Sequence, residues 1–237
     1  MVKRAGVLVA LDVAQRTRAL SLATELAPWV DGFKVGLELL MGPGPAIVEE
    51  IAAIGAPVFC DAKLHDIPNT VEAAARRVGR LGARWLTVHA PGGRAMMEAA
   101  VAGFADGNGG KPGILAVTVL TSLDAEILTS VGVDRRPADQ VGRLAALAGQ
   151  AGVEGVVCSV HELDVVAQAA PRLVRVTPGV RPPGSPVGDQ RRVATPAEAQ
   201  AAGADWLVVG RPITTASNPV AAARRIVAEL EESWKPD

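Results

Sequence analysis

The 237-residue sequence contains no tyrosine, and only 3% of its residues are aromatic. Proteins that bind single-stranded nucleic acid stack the bases on aromatic side chains, so we expect no such surface here. An excess of charge of one sign is also lacking, because 24 Lys and Arg residues face 25 Asp and Glu residues. The composition therefore predicts neither a nucleic-acid partner nor attraction to an anionic membrane.

Long hydrophobic runs are absent too, since no segment approaches the ~20 apolar residues that span a bilayer. The first residues, MVKRAGVLVALD, begin as a signal peptide does, with basic residues before apolar ones. Asp12 interrupts the apolar run too early, and no cleavage-site pattern follows. We expect a soluble, cytoplasmic protein.

Cysteine and histidine are scarce, with two and three residues. Cys60 and Cys158 lie in apolar, strand-like runs and are expected to be buried thiols; a disulfide or a reactive thiol is the alternative. The histidines have no paired spacing, so no zinc site and no other metal is predicted. We expect His65 and His161 to lie in loops or helix caps, whereas His89 closes a predicted strand.

Short apolar runs rich in β-branched residues recur along the chain. Such continuous runs are typical of parallel strands that are covered on both faces. Eight are predicted as strands: Val7–Leu11, Gly32–Val35, Val58–Asp61, Trp85–His89, Ile114–Thr118, Gly155–Cys158, Val174–Thr177 and Trp206–Val209.

Amphipathic segments, several with helix start or stop signals, follow these strands. They are Arg18–Leu26, Pro45–Ile54, Val71–Leu81, Arg94–Gly103, Ala138–Gly149, Glu162–Ala169, Thr195–Ala202 and Pro219–Glu232. Eight strand–helix units in a chain of this length predict an α/β fold, a (β/α)₈ TIM barrel with residues 1–237 as a single domain. An open doubly wound sheet is the alternative, although no G-x-G-x-x-G follows the first strand.

In such a barrel, the active site lies at the carboxyl ends of the strands. Asp12, Lys34, Asp61 and Lys63 fall at the ends of the first three predicted strands. Asp61 and Lys63 are two residues apart, so on an extended segment both would point into the barrel mouth. Buried ion pairs stabilise proteins poorly, so we interpret the four charges as a functional group rather than as structural salt bridges.

A second polar cluster is predicted after the last two strands. The long Pro/Gly-rich segment VRPPGSPVGDQ carries Arg181 and Gln190, and Gly210-Arg211 directly follows the eighth strand. Glycine lets backbone N–H groups approach an anion, and arginine binds it with two hydrogen bonds. Because the loops after strands seven and eight of barrels commonly bind phosphate, we predict a phosphate site here.

Several motifs together resemble those of orotidine 5′-phosphate decarboxylases of the bacterial type. DAKLHDIPNT resembles the D-x-K-x-x-D-I-x-x-T signature of that family, whose D-x-K-x-x-D core is shared with related sugar-phosphate decarboxylases. The resemblance extends over nearly the whole chain, through ALDV, FKVGLELL, VHAPGG, AVTVLTS, VVCSVHE, TPGVRP, GDQRRVATP and VVGRPIT.

The resemblance implies a cofactor-free decarboxylation of orotidine 5′-phosphate, the last step of pyrimidine nucleotide synthesis de novo. It implies that Lys63 protonates C6, that Asp61 lies against the substrate carboxylate, and that Lys34 and Asp12 lie around the ribose. The further substrate contacts that it implies are Thr121 near the pyrimidine and Arg181, Gln190, Gly210 and Arg211 at the phosphate. It also implies a homodimer in which Asp66, Ile67 and Thr70 reach the neighbouring subunit's site, Asp66 there joining the catalytic group.

Two other functions stay open at this point. A metal-dependent sugar-phosphate decarboxylase or aldolase of the same superfamily would need a carboxylate near the end of strand two. Lys34 stands there, and Glu38 is expected to belong to the next loop or helix. A non-catalytic barrel that binds a nucleotide or sugar phosphate would keep the phosphate site but would not need all four charged residues.

Overall fold

Eight parallel strands close into a barrel, each hydrogen-bonded to the next along the chain and the eighth to the first. The computed structural model describes residues 4–183 and 194–234. The strands are β1 Gly6–Ala10, β2 Gly32–Val35, β3 Val58–Leu64, β4 Trp85–His89, β5 Ile114–Val117, β6 Gly155–Val157, β7 Val174–Thr177 and β8 Trp206–Val209. The predicted TIM barrel is confirmed, and the open sheet is excluded.

Helices follow the strands around the barrel. They are α1 Arg16–Leu26, α2 Leu37–Met41, α3 Ile47–Ala52, α4 Pro68–Arg80, α5 Arg94–Gly107, α6 Ala125–Ser130, α7 Pro137–Gln150, α8 Leu163–Ala169, α9 Pro196–Ala201, α10 Arg211–Thr214 and α11 Pro219–Ser233. The short helices α2, α6 and α10 were not predicted, because four to six residues are too few to show a 3.6-residue period. Within the described ranges, no helix has the length and apolar character to cross a membrane.

The chain interior has two parts. A small cluster that includes Leu8, Phe59 and Trp85 fills the barrel, while a larger cluster fills the layer between strands and helices. Cys60 and Cys158 are buried and free, as predicted. Burial, reinforced by the neighbouring Asp61 carboxylate, raises the pKa of the Cys60 thiol to about 12, so this thiol is unreactive at neutral pH.

Helices α4 and α5 touch backbone to backbone. A methyl group on Gly103 would lie 2.2 Å from the carbonyl oxygen of Glu72, and one on Gly107 would lie 2.2 Å from that of Arg76. Real carbon–oxygen contacts are never so short, and the obstacle is main chain rather than a movable side chain. Glycine at these two positions therefore sets the separation of the helices.

Candidate active site

A cavity of about 510 Å³ opens at the carboxyl ends of the strands. Its volume lies within the usual range for small-molecule sites. Eight of the predicted site residues line it: Asp12, Lys34, Asp61, Lys63, Thr121, Arg181, Gly210 and Arg211. The two polar clusters predicted from sequence therefore share one cavity.

Asp12, Lys34, Asp61 and Lys63 form a continuous chain of alternating charge along one side of this cavity. Lys34 Nζ lies 2.9 Å from Asp12 Oδ1 and 3.5 Å from Asp61 Oδ2, and Lys63 Nζ donates to the same Asp61 oxygen at 2.7 Å. The side chains of Lys34 and Asp61 are only 10% and 11% exposed, whereas that of Lys63 is 29% exposed. The cationic end of Lys63 is thus held by Asp61 at the edge of the cavity.

The path of strand β3 differs from the regular extension that the sequence predicted. Between Cys60 and Leu64 the chain advances four residues, while the paired β4 advances only two, from Leu86 to Val88. Lys63 has φ 50°, the only positive value among the described residues other than glycine. Asp61 and Lys63 do converge, but a bulge with a left-handed lysine brings them together, not the simple alternation of a strand.

Two residues that the sequence reasoning missed support this charged chain. Thr87 lies fully buried in β4; its Oγ1 accepts a hydrogen bond from Lys63 N and donates one to Asp61 Oδ1, both at 2.9 Å. Gly36 follows β2, and a methyl group there would lie 2.7 Å from Lys34 Nζ and 2.8 Å from Asp12 Oδ1. The absent side chain of Gly36 leaves room for the Lys34–Asp12 ion pair.

Asp61 is the electrostatic centre of the group. Burial would raise the pKa of its carboxyl, but attraction to Lys34 and Lys63 and the hydrogen bonds from Lys63 and Thr87 outweigh it. The net result is a pKa below the ordinary value, so Asp61 is ionised throughout the neutral range.

The predicted phosphate residues line the same cavity at the ends of β7 and β8, and β8 pairs with β1. Arg181 follows β7, where its backbone N–H donates to Ala194 O at 2.8 Å. Arg211 is the first residue of α10, directly after Gly210. A short extra helix after strand eight is a common part of phosphate sites in such barrels. Gln190 lies outside the described residues.

Asp66, Ile67 and Thr70 are not brought into the cavity of their own chain. All three are exposed at the beginning of α4, and Ile67 is 66% exposed. Asp66 Oδ1 accepts a hydrogen bond from Ile67 N at 2.6 Å. Their separation from the cavity is the arrangement that a site shared between subunits would require.

His65 and His89 lie beside the charged group, and no histidine is among the residues that line the cavity. His89 and His65 pack against each other with ring centroids 5.6 Å apart. Burial, followed by the nearby His65 and Lys63, lowers the pKa of His89, and Asp61 opposes this only in part. His89 is therefore a neutral neighbour of the lysine at pH 7. His161 lies in a short 3₁₀ helix, Val160–Glu162.

Metal-ligating side chains are dispersed. Over residues 4–183 and 194–234, no three His, Cys, Asp or Glu side chains lie close enough to hold an ion together. Glu38 lies in α2, the helix after strand two, as predicted. Its side chain is exposed.

Comparison with known proteins connects this geometry to a family. The model of the orotidine 5′-phosphate decarboxylase / HUMPS family matches residues 6–226, which include all eight strands. The chain belongs to this family. The membership that the sequence motifs predicted is therefore confirmed.

Curated relatives within the orotidine 5′-phosphate decarboxylase / HUMPS family match over almost their full length. The orotidine 5′-phosphate decarboxylase of Moorella thermoacetica is 52% identical over 95% of this chain and 92% of its own. That of Anaeromyxobacter sp. (strain K) is 54% identical over 93% of this chain and 96% of its own. A crystal structure of orotidine 5′-phosphate decarboxylase from Lactobacillus acidophilus superposes with a TM-score of 0.81 at 36% identity, covering 96% of this chain and 99% of that one.

Proposed function

We propose that the protein decarboxylates orotidine 5′-phosphate to uridine 5′-phosphate, the last step of pyrimidine nucleotide synthesis de novo. The observation that carries the proposal is the alternating chain from Asp12 to Lys63 in one cavity with Arg181 and Arg211. A non-catalytic barrel that only binds a phosphate would not require the four alternating charges. The near full-length relatives with this named activity support the same conclusion.

Lys63 is the proposed proton donor. When CO₂ leaves, the electron pair of the broken bond stays on C6 of the pyrimidine, outside the π system of the ring. An ammonium close to C6 stabilises this charge and then transfers its proton to the carbon. The neutral amine regains a proton from solvent, so the reaction needs no cofactor to balance its protons and electrons.

Asp61 has two proposed effects on this step. Its Oδ2 accepts from Lys63 Nζ at 2.7 Å and so orients the proton donor. Its ionised carboxylate would also lie against the carboxylate of the substrate. The repulsion between these two negative charges would be relieved when CO₂ departs. Lys34 and Asp12 would extend the charged chain to the ribose hydroxyls.

A substitution at Gly36 tests whether the position of the Lys34–Asp12 ion pair matters for activity, because an added methyl group would contact both side chains. We expect Gly36→Ala to lower kcat/KM by roughly 10- to 100-fold, because an ångström of displacement of a positioning group can cost that much. Folding should be unaffected, since φ −97° and ψ −176° suit alanine. Steady-state kinetics and thermal unfolding measure the two quantities.

Gly149→Ala is the matched control for this substitution. In α7, the added methyl group would lie 3.6 Å from Ala170 Cβ, which is an ordinary contact. Full activity in Gly36→Ala would show that the Lys34–Asp12 geometry does not matter.

Arg181, Gly210 and Arg211 would hold the phosphate, with Gln190 as a further contact and Thr121 near the pyrimidine. Binding energy from a phosphate far from the reacting carbon can be used to close the site.

Replacing Arg211 with alanine is expected to raise KM by about 10- to 100-fold, because a charge-assisted hydrogen bond is worth about 1.5–3 kcal/mol. The effect should disappear with orotidine, which has no phosphate. The control is Arg136→Ala, whose side chain is 81% exposed in an ion pair with Asp139. An unchanged KM would remove Arg211 from the phosphate site.

The proposal includes a homodimer in which Asp66, Ile67 and Thr70 complete the partner's site. Their exposure at the beginning of α4 supports it. The test mixes two inactive proteins, Lys63→Ala and Asp66→Ala, under conditions of subunit exchange. A shared site predicts that about a quarter of sites regain full function, because each mixed dimer contains one intact site. No recovery after verified exchange would contradict the shared site.

We also propose a cytoplasmic location. The two free, buried thiols are consistent with a reducing compartment.

The deciding experiment incubates the purified protein with orotidine 5′-phosphate and EDTA and follows the loss of ultraviolet absorbance. Turnover that survives EDTA is the expected result. Absence of turnover with and without added Mg²⁺ would refute the assignment. Turnover abolished by EDTA would instead favour a metal-dependent relative of the same barrel.

A further inference from the structure

Thr87 occupies a distinctive place behind the charged chain. Its side chain is fully buried in β4 and does not line the cavity. A substrate in the cavity would therefore not reach it. Even so, the hydroxyl contacts two of the four charged residues, one through the backbone and one through the side chain.

The direction of these two hydrogen bonds is fixed. Oγ1 accepts from Lys63 N, and a hydroxyl has only one proton to donate. That proton goes to Asp61 Oδ1. With Oδ1 occupied in this way, the other oxygen, Oδ2, is the one that faces the ammonium groups of Lys63 and Lys34.

The hydroxyl also compensates for the irregular backbone of β3. In the bulge between Cys60 and Leu64 the regular pairing with β4 is interrupted. Lys63 N–H donates there to a side-chain oxygen in place of a strand carbonyl. A residue such as lysine adopts a positive φ only where its surroundings hold it, and this hydrogen bond is one such contact.

We propose that Thr87 is a positioning residue for the decarboxylation: its single hydroxyl fixes both the backbone of Lys63 and the carboxylate of Asp61. In this arrangement one buried group sets the relative position of the proton donor and of the acid beside it. The inference rests on the proposed function, because positioning is defined by the reaction that Lys63 performs.

The test compares Thr87→Val, which has nearly the same shape but no hydroxyl, with Thr87→Ser, which keeps the hydroxyl. For Thr87→Val we expect kcat for orotidine 5′-phosphate to fall roughly 10- to 100-fold with KM little changed, because two hydrogen bonds at charged or strained groups are lost. Thr87→Ser should restore kcat to within about threefold of the unsubstituted protein. Thr87→Ala carries the same test if the valine variant does not fold.

The pH profile separates positioning from a general loss of structure. The hydrogen bond from Thr87 contributes to lowering the pKa of Asp61. Its removal raises that pKa, so the acid limb of the kcat/KM profile should move to higher pH in Thr87→Val and not in Thr87→Ser. Binding of uridine 5′-phosphate, for which Arg181 and Arg211 at the ends of β7 and β8 are the proposed phosphate contacts, should be unchanged in both.

Two results would overturn the inference alone: an unchanged kcat in Thr87→Val, or an equal loss in Thr87→Ser, each with normal turnover by the unsubstituted protein. Absence of turnover in the unsubstituted protein would overturn the proposed function and this inference with it. The two failures are therefore distinguishable in one set of assays.

Discussion

Lys63→Ala is expected to lower kcat for orotidine 5′-phosphate by at least about 10⁴-fold. General acid catalysis contributes roughly 10²–10⁴-fold, and stabilisation of a developing charge contributes roughly 10²–10³-fold. The substitution removes both effects, which one ammonium supplies. Because Lys63 extends from β3, whereas Arg181 and Arg211 follow β7 and β8, its removal should leave the residues proposed to hold the phosphate in place.

The measurement pairs an absorbance assay of turnover with calorimetric binding of uridine 5′-phosphate. Lys111→Ala is the control, since Lys111 is exposed and does not line the cavity. A near-normal rate in Lys63→Ala would exclude Lys63 as the proton donor. Loss of nucleotide binding together with the rate would instead indicate a disturbed cavity.

Asp61→Asn is expected to impair both activity and stability. The amide has no charge, so it leaves the buried Lys34 and the nearby Lys63 without their shared anion. We expect kcat to fall about 10³-fold, because the proton donor loses its orientation. Breaking a buried ion pair on one side costs about 3–5 kcal/mol of unfolding free energy.

Urea unfolding at several pH values tests the electrostatic origin of this loss. The pKa of Asp61 is below its unfolded value of about 3.9, so its stabilising effect is complete above that pH and is lost as pH falls through the folded pKa. The difference between the unsubstituted protein and Asp61→Asn should thus be constant from pH 7 to about pH 5 and shrink below about pH 4. A difference that stays constant to pH 3 would contradict an ionic cause.

Asp139→Asn is the matched control for a carboxylate in an exposed ion pair. Its partner is Arg136, and neither side chain is buried. Exposed pairs contribute about 0–1 kcal/mol, so this variant should unfold almost as the parent does.

The strands were predictable because parallel strands covered on both faces leave continuous apolar runs, and four of the eight end at the predicted residue. The position of Gly210 and Arg211 in the cavity lining was predictable because a glycine followed by an arginine after a strand is visible in sequence. The helix cap at Thr195 was predictable for the same kind of reason, and its hydroxyl and Glu198 form the expected reciprocal hydrogen bonds.

The parts that could not be predicted depend on contacts between strands. Thr87 stands in WLTVH, where threonine is an ordinary β-branched strand residue, and its role arises only from the bulge in β3. Gly36 reads as a turn glycine until Lys34 and Asp12 are placed in space. The left-handed Lys63 has no local signal at all, because lysine has no preference for that conformation.

The glycine contact between α4 and α5 limits which substitutions the chain can accept. At positions 103 and 107 even alanine, which adds only a methyl group, would force that methyl group against main chain. Helix α4 begins at Pro68, directly after Asp66 and Ile67, and contains Thr70, so a shift of this helix would reach the residues proposed for the partner's site. A saturation library at these two codons, selected for pyrimidine independence, should therefore return glycine alone, although neither residue lies in a cavity lining.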